Sequence, residues 1–359
     1  ILPAQMGGQK GIAFFCKYLG EPNQLTAVSV KDNETQLAET YKMIPLFSKE
    51  RLRYLNPFYI SSIKKIIKEK QIKNVITEHP YMAWMGWLLK KSLGIKWFVH
   101  SHNIEFERFK TLDKSWYKLL KVYEKWAYKN ADVVFFKTNE DIEFAVRNLG
   151  VKKENAMLVP FGVEIKEMPF DKAEKKKKIC SQYNIPNNTT LLFFNGALDY
   201  KPNTDALSFI IDEINPLLLS NSSFSYRIII CGKGLPAFFN ELKNYSDKNI
   251  IYAGFVDDVV SYFKASDIFL NPVVTGGGVK TKIVEAMGYG ATVISGRTGA
   301  AGIDLSVCGE KIKIVDDSNA EAFASIITRI KNKFEQTPQS YYNYYYWGNI
   351  VKKLQPVFI

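Results

Sequence analysis

The sequence predicts a two-lobed α/β protein built on mostly parallel sheets, and three observations carry that reading. Short apolar runs of strand character alternate with longer helical runs from one end of the chain to the other. The alternation breaks once, at the polar stretch from Asp171 to Lys178 with four consecutive lysines, and then resumes. The chain has 359 residues, 47% hydrophobic and 23% charged, enough for two packed cores of ordinary size.

In the first half, Ile1–Ala4 reads as a strand end that runs into a glycine loop, Gln5-Met6-Gly7-Gly8-Gln9-Lys10-Gly11, with a helix from Ile12. Further strands are expected at 25–30, 74–77, 95–100 and 131–137, and helices at 57–69, 82–92, 114–129 and 140–149. Residues 155–164 read as a strand ending in a Pro and Gly turn, and Asp171–Lys178 as a hinge or a solvated helix start. The second half is expected to place strands at 191–195, 226–231, 250–252, 268–271, 291–294 and 311–315. Its helices fall at 204–219, 235–244, 259–264, 281–289 and 320–331. The tail from Ser340 to Leu354 carries five tyrosines and Trp347, so many aromatics that a last helix packed across both lobes is expected. The resulting domains are 1–167, 168–338 and a C-terminal helix at 339–359 that crosses back to the first lobe.

The formal net charge is +12, which favours anionic partners such as phospholipid headgroups or phosphorylated small molecules. Nucleic acid is disfavoured, because the chain has no helix-turn-helix, zinc or RNP-type pattern. Cys16, Cys180, Cys231 and Cys308 are far apart and lack zinc-ligand spacing; they read as small buried hydrophobes of a reducing compartment. No apolar run reaches the ~18 residues of a membrane-spanning helix. The expectation is a cytoplasmic protein, or one held peripherally at the inner face of a membrane.

The segment with the most chemistry is Thr275–Gly290, TGGGVKTKIVEAMGYG, which follows the apolar strand 268–271. A glycine turn at a helix start aims unpaired N–H groups outward, and the helix dipole favours an anion there. Lys280 and Lys282 add positive charge. Glu285 lies one turn into the helix, where a carboxylate can accept two hydrogen bonds from the vicinal hydroxyls of a ribose. Phosphate donors beside a ribose acceptor describe a nucleotide diphosphate site. The plainer alternative is a tight strand-to-helix turn with Glu285 solvated.

This segment resembles the nucleotide-binding motif of glycosyltransferase family 4 (GT4), a large retaining family of the two-lobed GT-B architecture. In that motif two glutamates have seven residues between them, and Ala-Met follows the second. Glu285-Ala286-Met287 matches the second, whereas the first falls on Gly277, so the contact to the donor sugar's hydroxyls departs from the pattern. The resemblance implies that the backbone at Val279 and Lys280 faces the sugar and Thr281 and Lys282 the diphosphate, with Gly277 and Gly278 also in the donor site.

Other segments resemble the family in the same order. Gly7, Gly8, Gln9 and Lys10 match its first-lobe glycine loop, with Gly8 toward the donor phosphate and Gly7, Gln9 and Lys10 on the acceptor side. His100-Ser101-His102 matches a strand-end histidine motif that puts His102 at the reaction centre. Gly196 matches the glycine that admits the diphosphate. The arginine that often follows is Ala197 here, so Lys201 is the nearest basic match, with a solvated loop lysine as the alternative. Gly232 and Lys233, then Phe255 and Val256, match the loops beside the nucleobase.

The implied protein is GT-B, two Rossmann-like lobes facing a central cleft. It would transfer a sugar, with retention, from a UDP- or GDP-linked donor to a saccharide or lipid-linked acceptor. Cell-envelope polysaccharide or glycolipid synthesis is the expected setting. Catalytic roles fall to His102, Lys201, Lys282 and Glu285, and no metal or cofactor is required. A sugar-nucleotide epimerase and a non-catalytic nucleotide- or sugar-binding protein are the alternatives on the same scaffold. Finally, Lys114, Lys118, Lys121, Lys125 and Lys129 share one helical face. That face is either a contact with an anionic membrane or the solvated side of a core helix.

Overall fold

The computed structural model describes residues 2–4, 7–330 and 335–358. The chain divides into two α/β units, one comprising residues 1–164 and 347–359, the other residues 165–346.

In the first unit, α1 (Gly7–Gly20) is followed by two strands that pair in parallel, β1 (Thr26–Val30) and β2 (Lys42–Phe47). The expected strand end at 2–4 is not a strand, and β2 was not anticipated: its KMIPLF sequence carries a proline, an edge-strand residue. Next come α2 (Tyr59–Glu69), β3 (Asn74–Glu78), α3 (Ala83–Leu93), β4 (Lys96–His100), α4 (Glu105–Thr111) and α5 (Tyr117–Asn130). The run ends with β5 (Val133–Phe136), α6 (Asn139–Phe144) and β6 (Ala156–Leu158). Strands β3 to β6 form a parallel sheet in sequence order. Trp97, Phe98, Val99, Val134, Phe135 and Phe136 are all fully buried, the near-continuous apolar pattern of strands covered on both faces.

The second unit opens with α7 (Lys172–Gln182), so the lysine run is a helix. Lys176 reaches Asp267 at 2.6 Å, and Lys264 reaches Asp171 at 2.9 Å. There follow β7 (Thr190–Asn195), α8 (Lys201–Phe209) and α9 (Asn215–Leu219), then β8 (Tyr226–Cys231), β9 (Ile250–Gly254), α10 (Val259–Ala265) and β10 (Ile268–Asn271). After them come α11 (Thr281–Gly288), β11 (Thr292–Gly296), β12 (Ile312–Val315) and α12 (Ala320–Ile330), with the predicted final residue Lys331 outside the described residues. The helix expected at 235–244 is instead a broken 3-10 segment, because Asn240, Glu241 and Leu242 adopt positive φ. The six strands are all parallel, in the order β12-β11-β10-β7-β8-β9. This is the doubly wound order, and the winding reverses between β7 and β10. Open α/β sheets bind ligands outside the carboxyl ends of the strands flanking that reversal.

The aromatic tail is two helices, α13 (Gln339–Tyr345) and α14 (Trp347–Leu354), separated by Tyr346 in extended conformation. The buried rings of Tyr341 and Tyr342 cover α11, their hydroxyls donating to the carbonyls of Val284 and Gly288. Tyr345 accepts the amide N–H of Asp304 at 2.9 Å. In the first unit, Trp347 is fully buried and its N–H donates to the Val163 carbonyl at 3.0 Å. The break at Tyr346 thus divides the tail between the two units.

Candidate active site

In the second unit, the chemistry collects where the winding reverses. β7 ends at Asn195 and leads through Gly196 to α8; β10 ends at Asn271 and leads through the glycine turn to α11. Lys282, from the first turn of α11, extends to the end of β7. There its ammonium donates to the carbonyl of Asn195 at 2.5 Å and to Oδ1 of Asn203 at 3.2 Å. The Asn203 amide in turn donates to the Ala197 carbonyl at 2.8 Å. Burial, with Lys280 adding repulsion and Glu285 opposing it, pushes the Lys282 amine down to about 8. Asn195 and Asn203 are site residues that sequence reasoning missed, although both lie in the segment that carries Gly196 and Lys201.

Gly196 is required by this arrangement. A Cβ there would lie 2.6 Å from the Lys282 amine and 2.7 Å from the Asn203 amide. Gly232 packs equally tightly, since a Cβ would fall 1.9 Å from the Gly196 carbonyl oxygen. Backbone bonds from Gly196 to Cys231, from Leu198 to Lys233 and from Gly232 to Gly254 join the loops after β7, β8 and β9 into one surface. Phe255 leaves that surface with its ring two-thirds exposed, beside Val256. Asp258 caps α10, accepting from the amide and hydroxyl of Ser261.

The exposed glycine turn adopts left-handed backbone at Gly276 and Gly278, with Gly277 between them. Lys280 folds back and donates to the carbonyls of Gly276 and Gly278, closing the turn on itself. Val279 and Lys280 are half-buried, and Thr281 opens α11. Glu285 is half-buried one turn on, close enough to Lys282 for their charges to interact. Lys201 is placed differently from the other predicted residues. Its ammonium is exposed and held by both oxygens of Asp205 at 2.8 and 2.7 Å, an ordinary helix-surface pair.

In the first unit, the expected glycine loop is helical. Gln5 and Met6 lie outside the described residues, and Gly7, Gly8, Gln9, Lys10 and Gly11 form the opening turns of α1. Gly8 has nothing within 4 Å of a Cβ position, whereas Gly11 lets the helix approach Phe161.

All three histidines meet at the carboxyl ends of β3 and β4. Glu78 pairs with His100 in register, and its carboxylate bridges two imidazoles: Oε1 to His100 Nδ1 at 3.1 Å and Oε2 to His102 Nε2 at 2.6 Å. His102 stacks between the other two rings, its centroid 4.3 Å from His79 and 4.4 Å from His100. Glu105 holds His79 Nδ1 at 3.2 Å, Tyr81 at 2.7 Å and Arg108 at 3.2 Å. Buried Glu124 accepts the amide N–H groups of Glu105 and Phe106 and so fixes the start of α4.

Burial, reinforced by His100 and Lys137, holds His102 well below the usual imidazole range, against the pull of Glu78. Burial likewise pushes His100 down to about 4. Both rings are neutral at neutral pH, and His102 gives its Nε2 proton to Glu78, so its Nδ1 is the acceptor side. Glu78, His100 and His102 also bring one ligand atom each within 4.8 Å of one another, a set that could coordinate a metal. Glu78 carries no signal of its own in the sequence beyond its place before His79.

Elsewhere in this unit, a cavity of about 570 Å³ opens between Trp87, Lys90, Lys129 and Lys152. It lies at the opposite, amino-terminal end of β5. There the lysines answer the carboxyl ends of α3 and α5, as basic residues of a last helical turn do.

Residues 8–167 match the family model described as Glycosyltransferase Family 4, and residues 189–333 the model described as Glycosyl transferases group 1. The chain is 26% identical over 247 residues to UDP-Gal:alpha-D-GlcNAc-diphosphoundecaprenol alpha-1,3-galactosyltransferase of Escherichia coli. That match covers 65% of this chain and 60% of the relative, so the chain spans less than two thirds of that protein's length. In fold, it is similar to a glycosyltransferase from Rickettsia africae, with a TM-score of 0.73 and 18% identity over 98% of this chain and 94% of the other. It is also similar to HepE of Anabaena in complex with UDP and glucose, with a TM-score of 0.69 and 14% identity over 99% and 97% of the two chains. A family match in each half, a doubly wound unit with its glycine turn at the reversal and a fold shared over nearly the whole chain place this protein among the glycosyltransferases of GT-B fold.

Proposed function

We propose that the protein transfers a sugar, with retention of configuration, from a nucleoside-diphosphate sugar to a saccharide or lipid-linked acceptor in cell-envelope glycan synthesis. The observation that carries the reading is Lys282. A half-buried lysine drawn to the reversal point of the sheet, beneath a position that only glycine fits, would offer positive charge where a diphosphate would lie. UDP is the favoured nucleotide, because the E. coli relative is described as using UDP-Gal and HepE was solved with UDP. GDP is the alternative.

In this reading Glu285 accepts the ribose hydroxyls, and Gly277, Gly278 and Val279 present backbone to the sugar. Gly232, Lys233, Phe255 and Val256 border the base. Lys282 and the N–H groups at the start of α11, from Thr281 onward, stabilise the departing diphosphate. His102, oriented by Glu78, would accept a hydrogen bond from a donor-sugar hydroxyl through Nδ1. By the resemblance, Gly7, Gln9 and Lys10 would serve the acceptor and Gly8 the donor phosphate. Lys201 is the weakest member of the set, since Asp205 already engages it.

A peripheral membrane contact fits the same reading. No described helix is long and apolar enough to cross a membrane. On α5, however, Leu119 and Val122 are 74% and 68% exposed, beside the lysines. Exposed apolar residues among lysines suit an anionic bilayer surface.

The test is thermal melting against UDP, GDP, ADP and CMP with wild type and Glu285→Ala. One diphosphate should stabilise wild type by about 2.7 kcal/mol at a hundredfold excess over its Kd, and Glu285→Ala should lose most of that. No shift with any nucleotide would remove the donor site, and with it the transferase reading.

A further inference from the structure

The first unit contains a buried ammonium that its own residues do not answer. Lys137 follows β5 directly and is 6% exposed, yet its Nζ has no hydrogen-bond partner. Two other buried polar atoms nearby are in the same position: the indole Nε1 of Trp347 and Nε2 of His100. The three belong to one neighbourhood. The Lys137 ammonium lies 5.9 Å from the Trp347 ring centre. His100 pairs in register with Phe135, two residues before Lys137. Phe15 packs on His100 at 4.5 Å, and Phe161 meets the Trp347 ring edge-on at 5.9 Å. Gly11, one turn before Phe15 on α1, closes against Phe161.

Orphaned groups of this kind are costly. A buried polar atom without a partner forfeits its hydration, and a buried charge forfeits more, so native proteins satisfy nearly all of them. Glu78 is close enough to act on Lys137 electrostatically, but both of its oxygens are already engaged with His100 and His102. Phe15 against His100 and Phe161 against Trp347 offer no hydrogen-bond partner. Lys137 and Trp347 can only donate, whereas His100, with its Nδ1 proton directed at Glu78, offers Nε2 as an acceptor.

We propose that Lys137, Trp347 and His100 form an oxyanion-binding subsite, and that the acceptor sugar carries the matching phosphate or carboxylate. The oxygens of the anion take the Lys137 and Trp347 protons, and a hydroxyl of the same ligand donates to His100 Nε2. The acceptor's identity rests on the transferase reading; the anion subsite does not.

The experiment is thermal melting of the full chain against inorganic phosphate and against acetate at constant ionic strength. Wild type, Lys137→Met, Trp347→Phe and Lys282→Met are compared, each repeated with the stabilising nucleoside diphosphate present. Phosphate, acetate or both should raise the wild-type melting temperature saturably, on the order of 5 °C at a hundredfold excess over Kd. Which anion acts separates a phosphorylated from a carboxylated acceptor. Lys137→Met should abolish that response and keep the nucleotide response. Trp347→Phe should weaken anion affinity several-fold without a change of charge, which covers the case where Lys137→Met does not fold. No saturable response in wild type would leave water as the occupant and overturn the proposal. So would a response kept in Lys137→Met and lost in Lys282→Met, which would belong to the second unit. Loss of the nucleotide response alone would instead overturn the donor site and leave this subsite standing.

Discussion

Replacing Gly196 with alanine puts a single methyl group against Lys282, the lysine on which the proposed donor site rests. The new Cβ lies 2.6 Å from the Lys282 amine and 2.7 Å from the Asn203 amide, where ordinary contact needs about 3.5 Å. Lys282 or Asn203 must therefore retreat by about 0.9 Å. A free lysine tip would do so at little cost, but this one is tied to the Asn195 carbonyl and to Asn203, which is itself tied to Ala197. The overpacking should cost about 1–3 kcal/mol. For a unit of this size that is a fall of about 2–12 °C in melting temperature. Displacing the ammonium should also remove a charged hydrogen bond to the diphosphate, about 1.5–3 kcal/mol or roughly 10- to 100-fold in Kd. Thermal melting and nucleotide titration of Gly196→Ala, Lys282→Ala and the double variant read both effects. If the clash is with Lys282, the alanine costs much less in the Lys282→Ala background, a non-additivity expected only of touching groups. A Gly196→Ala protein that melts and binds as wild type does, or whose cost is the same in both backgrounds, would refute this account of the site.

Three further outcomes follow from the same geometry. Burial lowers the Lys282 amine to about 8, so diphosphate affinity should fall above that pH by up to about tenfold per unit, and Lys282→Met should bind weakly with no such slope. The sign for stability is opposite: a lysine depressed from 10.5 binds more protons unfolded, so its contribution rises with pH between about 8 and 10.5. Glu78→Gln removes the charge that bridges His100 and His102 and turns one imidazole N–H toward an amide N–H. Transfer should drop at least tenfold while nucleotide affinity, a property of the second unit, stays within twofold; equal losses in both would contradict the assignment of Glu78 as a positioning residue. Finally, Leu119→Ser with Val122→Ser should reduce co-sedimentation with anionic vesicles and leave the melting temperature within about 2 °C, since both side chains are exposed. Wild type that fails to bind such vesicles would remove the membrane contact.

The strand and helix alternation was legible wherever burial is two-sided, because a parallel strand such as Leu191–Phe194 is apolar at every position. It failed where local signals compete. Pro45 disguised β2, and the clustered glycines at 7–11 read as a loop although they open a helix whose close contact with Phe161 needs one of them. The site divides the same way. Lys282 and Glu285 could be found because one element, a glycine turn entering a helix, displays them in sequence, and Gly196 because it ends a strand in a second such loop. The residues that give the site its geometry come from other elements: Asn203 on α8 answers Lys282 across 79 positions, and Glu78 at the end of β3 answers His102 across 24. Lys201 shows the converse hazard. Its position in the motif suggested a phosphate ligand, but Asp205 stands one helical turn ahead on the same exposed face, and such a pair forms whatever the loop beside it binds. Lys282 has Glu285 one turn on, yet its ammonium is drawn under Gly196 to the Asn195 carbonyl at the end of β7. The two lysines differ in exposure: Lys201 lies in solvent, whereas Lys282 is half-buried at the reversal of the sheet, where a positive charge would suit the proposed diphosphate.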